Sequence, residues 1–476
     1  MKINQSFALS VMALTVLSLL SGCAMGPNYA KPAVANPASF NIPAGWKMAQ
    51  PQDADIPSDW WKIFNDTQLN QLEERVVLSN QTLAQKEAAL RQARALVQSA
   101  EAGLFPTLNG NAAESRNKSS GGAIGLAQGR IYNNFLLNAQ ASWEPDLWGS
   151  VRRTIEANTA NYQASASQLA AARLTLQSQL AVDYFQLRAD DALTVLLTDT
   201  VKAYRQNLDL TNSRMSAGIA AETDVLQAES QLRGAEAQLI DVGVQRGQLE
   251  HAIAVLTGVA PSGFSIAPTP LGTDTVQLPI SVPSAIVERR PDIAAAERAA
   301  AAANAQIGVA KAAFFPTLTL GGATGFQNNS SGALLTQPNA AWSFSPQLSL
   351  PIFDGGLRSA NLTQAEAAYE GAVANYREVV LEAFQNVEDN LTAASLLTNE
   401  IHVQNQAVVA AHKTLNLTEA QYKAGIVGYL NVIVAQTTLL TSKTTEVSLR
   451  SRHYVASVQL ITALGGGWNA SQLPHE

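Results

Sequence analysis

Trp342-Ser343-Phe344-Ser345-Pro346-Gln347-Leu348-Ser349-Leu350 places an apolar residue at every second position and a small or polar one between. Only an extended strand sorts such a pattern onto two separate faces. Leu137-Asn138-Ala139-Gln140-Ala141-Ser142-Trp143-Glu144 alternates in the same way. A looser alternating stretch precedes each, Thr317 to Phe326 and Thr107 to Arg116. Gly/Ser/Asn-rich loops, Gln327 to Asn339 and Asn117 to Gly129, join the members of each pair. The chain therefore carries two β-hairpins, four strands of about ten residues with one polar and one apolar face. Half-buried strands of a soluble sheet and membrane strands share this pattern, and the surroundings decide between them.

The hairpins belong to a repeat. Leu104-Phe105-Pro106-Thr107-Leu108 returns as Phe314-Phe315-Pro316-Thr317-Leu318. Leu210-Thr211 with Ala217-Gly218-Ile219 returns as Leu417-Thr418 with Ala424-Gly425-Ile426, and Leu256-Thr257-Gly258 as Leu464-Gly465-Gly466. Three matches in order at nearly one offset mark a duplicated unit. The expected division is a first repeat over 67–256, a linker over 257–283 rich in Pro, Gly, Ser and Thr, a second repeat over 284–464 and a tail over 465–476.

Each repeat reads as helix, hairpin, then long helical hairpin. Leu69 to Ala102 is rich in good helix formers, and its counterpart opens at Pro291-Asp292, a proline and an acid suited to a first turn. Pro/Gly turns at Pro145 to Gly149 and Pro351 to Gly356 follow the strands. Arg152 to Arg214 is then a helical stretch of roughly 90 Å. The return helix shows Val225, Ala228, Leu232, Ala235, Leu239, Val242, Arg246, Leu249, Ile253 and Leu256 at alternating steps of three and four. That is a heptad seam and predicts a left-handed coiled coil. The second seam is Val432, Ala435, Leu439, Ser442, Glu446, Leu449, His453, Ala456, Leu460 and Ala463.

The start reads as an export signal over residues 1–22: Lys2, an apolar stretch from Phe7 to Leu20, then Leu20-Ser21-Gly22-Cys23, which resembles a lipobox and implies acylation of Cys23. Residues 23–66 then form an extended lipidated segment. Cys23 is the single cysteine, so no intramolecular disulfide can form. Charged residues make up 14% of the chain, against roughly 25% in soluble domains. The net charge of -7 argues against a nucleic-acid binder, which would show a basic face. Beyond the signal no run of about 18 apolar residues exists, so a membrane core can be reached only by a β-barrel. Trp143, Trp148 and Trp342 would suit its interfacial belt.

Four strands cannot close a barrel, and open edges cannot face lipid. Subunits must share one. Two copies give eight strands with a filled interior, and three give twelve with room for a lumen, which favours three.

Gly26-Pro27-Asn28-Tyr29, Trp60-Trp61-Lys62-Ile63-Phe64-Asn65-Asp66, Trp143-Glu144-Pro145-Asp146-Leu147-Trp148-Gly149, Arg289-Arg290-Pro291-Asp292-Ile293 and Leu350-Pro351-Ile352-Phe353-Asp354-Gly355-Gly356 occur in this order. Together they resemble lipoprotein members of the outer membrane factor family, TolC-like exit ducts of tripartite efflux systems. The resemblance implies an α+β membrane protein: a homotrimer with a twelve-stranded barrel and a coiled-coil tunnel in the periplasm. It also implies a periplasmic adaptor, an inner-membrane efflux pump and outer-membrane lipid as partners, and passage of drugs or small solutes instead of catalysis. No cofactor is expected besides the lipid on Cys23, and no metal. His251, His402, His412, His453 and His475 show no ligand spacing, and neither a phosphate loop nor a His-Glu-x-x-His motif is present.

The family's tip gate maps onto the coiled-coil turns. Gly218 and Gly425 suit left-handed helix ends, and Arg214 and Lys423 place cations there. The expectation is that Leu430 constricts the pore while Arg214, Asp224, Tyr422 and Lys423 bond between helices. Val434 stands where many relatives carry an acid, so cation preference would have to come from Glu222, Asp224 or Glu229. Two other readings compete: a periplasmic helical scaffold or adaptor lipoprotein, which would lack the paired hairpins, and an envelope hydrolase, which would need a placed nucleophile and base.

Overall fold

The computed structural model describes residues 24–34, 57–118, 131–272 and 289–474. The signal, Cys23, most of the first hairpin loop, the later part of the linker and His475 lie outside the described residues. Strands β1 (Thr107–Lys118), β2 (Ile131–Trp143), β3 (Thr317–Asn328) and β4 (Ala340–Ser349) form one antiparallel sheet in chain order.

The register sorts the two faces. Leu108 lies opposite Ala141, Ala141 opposite Gly322 and Gly322 opposite Phe344. Trp143, Leu320 and Pro346 form a second row, and Ala112, Leu137, Phe326 and Ala340 a third. Trp342, Phe344 and Leu348 stand exposed on this apolar face, Trp342 at 81%. The opposite face carries Asn109, Gln140 and Ser343 in one row and Thr319 with Gln347 in another, and Gln327 bonds across it to Asn134. A one-residue slip would exchange the faces, so the pattern itself specifies the pairing. β1 and β4 are unpaired edges.

The helices continue the sheet as a wall. α1 (Thr67–Ser79) and α2 (Gln81–Glu101) precede β1; α3 (Ser150–Ser216) and α4 (Glu222–Leu256) follow β2. α5 (Pro291–Ala312) leads into β3; α6 (Leu357–Lys423) and α7 (Tyr429–Ala463) follow β4. α3 packs against α2, α4 and α5, and α6 against α5 and α7. The order α2, α3, α5, α6 thus matches that of the strands they meet. α3 and α6 are 67 residues each, roughly 100 Å of unbroken helix. Their starts are capped alike. Asp146 accepts the amides of Val151 and Arg152, and Asp354 those of Gly356 and Arg358.

Both seams face inward. Ala228, Leu232, Ala235, Val242 and Ile253 are buried on α4, and Val432, Leu439, Leu449 and Leu460 on α7. His453 is buried, with its Nε2 3.3 Å from the Thr398 hydroxyl oxygen of α6.

One expected element divides. Leu69 to Ala102 is two helices, broken at Asn80. Its Oδ1 accepts the amides of Thr82 and Leu83, starting α2, and its Nδ2 donates to the Leu256 carbonyl. Composition hid this break because asparagine serves in helix and cap alike. The strands also run further than their alternation, β2 beginning at Ile131 and not at Leu137.

The main core lies halfway down the wall. Trp60, Trp61, Leu69, Leu180, Tyr184, Phe185 and Ile253 pack there. Beside it Arg188 donates to Asp191, to the Ala267 carbonyl and to Gln68, while Arg246 binds Asp191 and the Ile266 carbonyl. The start of the linker is thereby stitched to α3 and α4. Asp190, next to Asp191 and short of solvent, is pushed up to about 6 by burial and then by its neighbour's charge. Arg188→Met leaves Asp191, 2% exposed, with only Arg246 as a cation. Breaking a buried pair this way costs about 3 kcal/mol. The expected result is a fall of several degrees in the unfolding temperature of the detergent-solubilised protein.

Candidate functional site

The end of the helical wall far from the sheet is formed by two matched turns. In the first, Gly218 has φ +74°, its amide donates to the Met215 carbonyl and the Ile219 amide reaches the Arg214 carbonyl. In the second, Gly425 has φ +75°, with the bonds Gly425 to Tyr422 and Ile426 to Gln421. A side chain other than glycine is strained at such φ, so the sequence marks both turns. Ile219 and Ile426 project from them, exposed.

Behind the turns Ala228, Tyr422, Tyr429 and Val432 form a small core. The Tyr422 and Tyr429 rings lie 5.3 Å apart, and burial, then the neighbouring phenol, pushes Tyr429 up to about 12. The Arg214 guanidinium stands 4.6 Å over the Tyr422 ring, a cation–π contact that joins α3 to α6. Its Nη1 lies 3.5 Å from the Lys423 carbonyl, at the outer limit of a hydrogen bond. Leu430 is 61% and Val434 58% exposed, so α7 turns an uncharged stripe away from its own hairpin.

The expected bonding set is thus only partly assembled within one subunit. Arg214 and Tyr422 meet, and Lys423 contributes its backbone. Asp224 turns to its own helix, accepting the Ala221 amide at 3.4 Å as an N-terminal cap. An acid at the third helical position reaches back in this way to the amide of the residue that precedes the helix. Glu229 pairs with Arg233 at 3.5 Å, and Glu222 is exposed. Among the described residues no His/Cys/Asp/Glu group has metal-holding geometry. His402 and His412 bond to Gln406 and Asn416 of their own helix.

A second constellation escaped the sequence reading. Residues 24–29 lie as a strap across α3 and α5. Buried Arg153 donates to the Met25 and Gly26 carbonyls and to Asn28 Oδ1. Asn304 donates to the Pro27 carbonyl, and the Tyr29 hydroxyl to Glu297 at 2.6 Å. Gly308 is needed for close approach: a Cβ there would sit 2.7 Å from the Met25 oxygen. Above the strap, Trp148 stacks on Phe315 at 4.7 Å and donates to the Pro316 carbonyl, linking the two hairpins' bases. The motif Gly26-Pro27-Asn28-Tyr29 was the visible signal, but nothing in its spacing named Arg153 or Glu297.

A sheet with one apolar and one polar face, borne on two unbroken helices of about 100 Å that each fold back into a return helix of roughly half that length, defines a subunit of a membrane channel with a long extramembrane stem. The family model described as outer membrane efflux protein matches residues 73–259 and again 282–466, once in each repeat, and the chain belongs to that family. It is 30% identical over 465 residues to the toluene efflux pump outer membrane protein TtgC of Pseudomonas putida, covering 96% of both chains. It is 30% identical over 456 residues to the cation efflux system protein CusC of Escherichia coli, covering 94% of this chain and 96% of that one. Among solved structures it is similar to the outer-membrane channel OprN, with a TM-score of 0.86 at 28% identity over 94% of this chain and all of that one. The open state of the MtrE channel of Neisseria gonorrhoeae gives 0.80 at 26% identity, over 94% of this chain and 99% of that one. The protein is an outer-membrane efflux channel component, its sheet in the membrane and its helices in the periplasm.

Two predictions follow from the stem. Burial holds the His453 imidazole below its ordinary value of 6.5, so the folded stem favours the neutral ring. That stability is present above 6.5 and is lost as pH falls below it. Melting curves between pH 7 and pH 5 should show the loss, and His453→Gln should reduce it. At the tip, the Tyr422 hydroxyl makes no hydrogen bond within the subunit, so Tyr422→Phe should leave single-channel conductance unchanged. Tyr422→Leu removes the ring under Arg214, a contact of about 1 kcal/mol, and should raise the open fraction several-fold.

Proposed function

We infer that three copies of this chain close a twelve-stranded barrel and line one continuous duct from periplasm to exterior. The observation that carries this reading is the pair of unpaired edges, β1 and β4, on a sheet whose exposed apolar face demands lipid. Edge pairing between copies satisfies the backbone and leaves Asn109, Gln140 and Ser343 toward a wet lumen. Solutes handed over at the tip by a periplasmic adaptor and an inner-membrane pump then leave passively, and the chain itself catalyses no reaction. The equal similarity to proteins named for a toluene pump and a cation system supports a duct that leaves solute choice to the pump.

The closed tip is held by Arg214 on Tyr422 and constricted by Leu430, with Gly218 and Gly425 shaping the turns that meet the adaptor. Asp224 and Lys423, whose charged ends make no link between helices of one subunit, contribute across subunits. A lipid on Cys23 anchors each chain.

The native mass of the membrane-extracted protein in detergent tests the assembly. A trimer with lipid on each chain is expected; a stable monomer would return the chain to the scaffold reading. Leu430→Ser should raise basal conductance in planar bilayers by several-fold, and unchanged conductance would remove Leu430 from the constriction.

A further inference from the structure

The two repeats run in one sequence frame. α6 and α7 begin and end 207 residues after α3 and α4: Ser150 to Leu357, Ser216 to Lys423, Glu222 to Tyr429, Leu256 to Ala463. The hairpins keep the same frame. Ser142 lies opposite Thr107, the first residue of β1, and Ser349 opposite Thr317, the first residue of β3. From each of these serines seven residues lead to the glycine that precedes the long helix, Gly149 at φ +78° and Gly356 at φ +95°.

The boundary where the first repeat meets the second is therefore a template. There β2 pairs with β3, and α3 packs on α5 and α7. The free edges of the subunit are the two halves of that same boundary. One edge offers β4 and α6, the counterparts of β2 and α3. The other offers β1, α2 and α4, the counterparts of β3, α5 and α7. Both helical flanks carry exposed apolar residues one or two heptads apart: Leu226 and Ile240 on α4, and Leu396, Val403 and Leu417 on α6. A second copy of this chain is the partner whose surface matches each edge.

At the junction of sheet and stem the template is specific. The Trp148 ring stacks on Phe315, and its indole donates to the Pro316 carbonyl. Phe105-Pro106 is the counterpart of Phe315-Pro316. Phe315 is half-buried, whereas Phe105 is 67% exposed. On the other edge Gly355 stands where the first repeat has Trp148, so the equivalent ring is missing. Two and three residues earlier come Phe353 and Ile352, 90% and 91% exposed, the most exposed large apolar side chains among the described residues. Lipid is a poor cover for them, because Phe353 adjoins the Asp354–Arg358 ion pair, whose charges hold this turn outside hydrocarbon.

We propose that neighbouring subunits meet by repeating this inner boundary: Ser349 opposite the partner's Asn111, Leu348 opposite the partner's Ala112, and Phe353 seated on the partner's Phe105. The strand register follows from Ser142 opposite Gly321 and Ala141 opposite Gly322 in the inner pair. It keeps Leu348 on the apolar face and Ser349 on the polar one. A slip by two residues would preserve the faces but carry the phenylalanine seat roughly 7 Å away. The ring contact thus fixes a register that alternation alone leaves open. This contact map rests on the shared barrel inferred above and names the residues through which it closes.

The test is cysteine cross-linking of the full-length protein in its own membranes, with each single variant as the control for Cys23. Ser349→Cys with Asn111→Cys, and Phe353→Cys with Phe105→Cys, should each oxidise to covalent trimers on a non-reducing gel, and the single variants should not. Ser349→Cys with Ala113→Cys, the pair of a two-residue slip, should give about fivefold less product, because its Cβ atoms stand roughly 7 Å apart, beyond a disulfide's reach. Phe353→Ala and Phe105→Ala should each lower the temperature at which the trimer dissociates, and the double variant should fall no further than either alone. Stronger cross-linking of the slipped pair overturns the register. Independent effects of the two alanines overturn the seat, and so does a trimer in which the phenylalanine pair fails to cross-link, since lipid then covers Phe353. Native mass of the same samples separates the two readings: a trimer that joins neither pair sinks the contact map alone, whereas a monomer sinks the shared barrel.

Discussion

A backbone amide or carbonyl in hydrocarbon has no water to turn to, and the architecture follows from that constraint. Four strands satisfy one another internally and leave two edges. Those edges make the fold of one chain incomplete in a membrane, so assembly is part of the fold. The same constraint explains the abrupt change of structure at Pro145 and Pro351. In water the chain can use helices that satisfy their own backbones over 67 residues. In lipid it uses strands whose polar face can line a lumen that a closed ring of helices of this composition could not provide.

Much of this was legible in the sequence because periodicity reports burial. The α4 and α7 seams were read residue by residue from steps of three and four, and each of those positions is buried or half-buried. The hairpin faces were read from alternation, and the register keeps them apart. Gly218 and Gly425 were legible because positive φ leaves few other choices of residue. What stayed hidden depends on partners distant in the chain. Asn80 ends one helix and begins the next by bonding to Leu256, 176 residues away. Arg153 gives no local sign that three acceptors of the strap converge on it. Arg246 was read as a position of the α4 seam and Arg188 carried no signal at all, yet both stitch the linker to the core.

The tip divides in the same way. Its glycines and its cation near each helix end were readable, but the contact that joins the two hairpins, Arg214 over the Tyr422 ring, needs both repeats in place. Asp224 was legible as an acid near a turn, and local geometry then uses it as a cap. A carboxylate one turn into a helix has amides within reach, and those bonds need no further chain ordering.

The strap carries a consequence for the order of events in the life of the chain. Its seat is built from α3 and α5, and its last bond, Tyr29 to Glu297, spans 268 residues. Residues 24–29 are made early and are nevertheless among the last to find their place, since the α5 half of their seat does not exist until the second repeat has been made. Contacts of such separation form slowly and close the longest loops. A chain that ends before α5 therefore lacks half of the seat, Glu297 and Asn304, on which the strap docks.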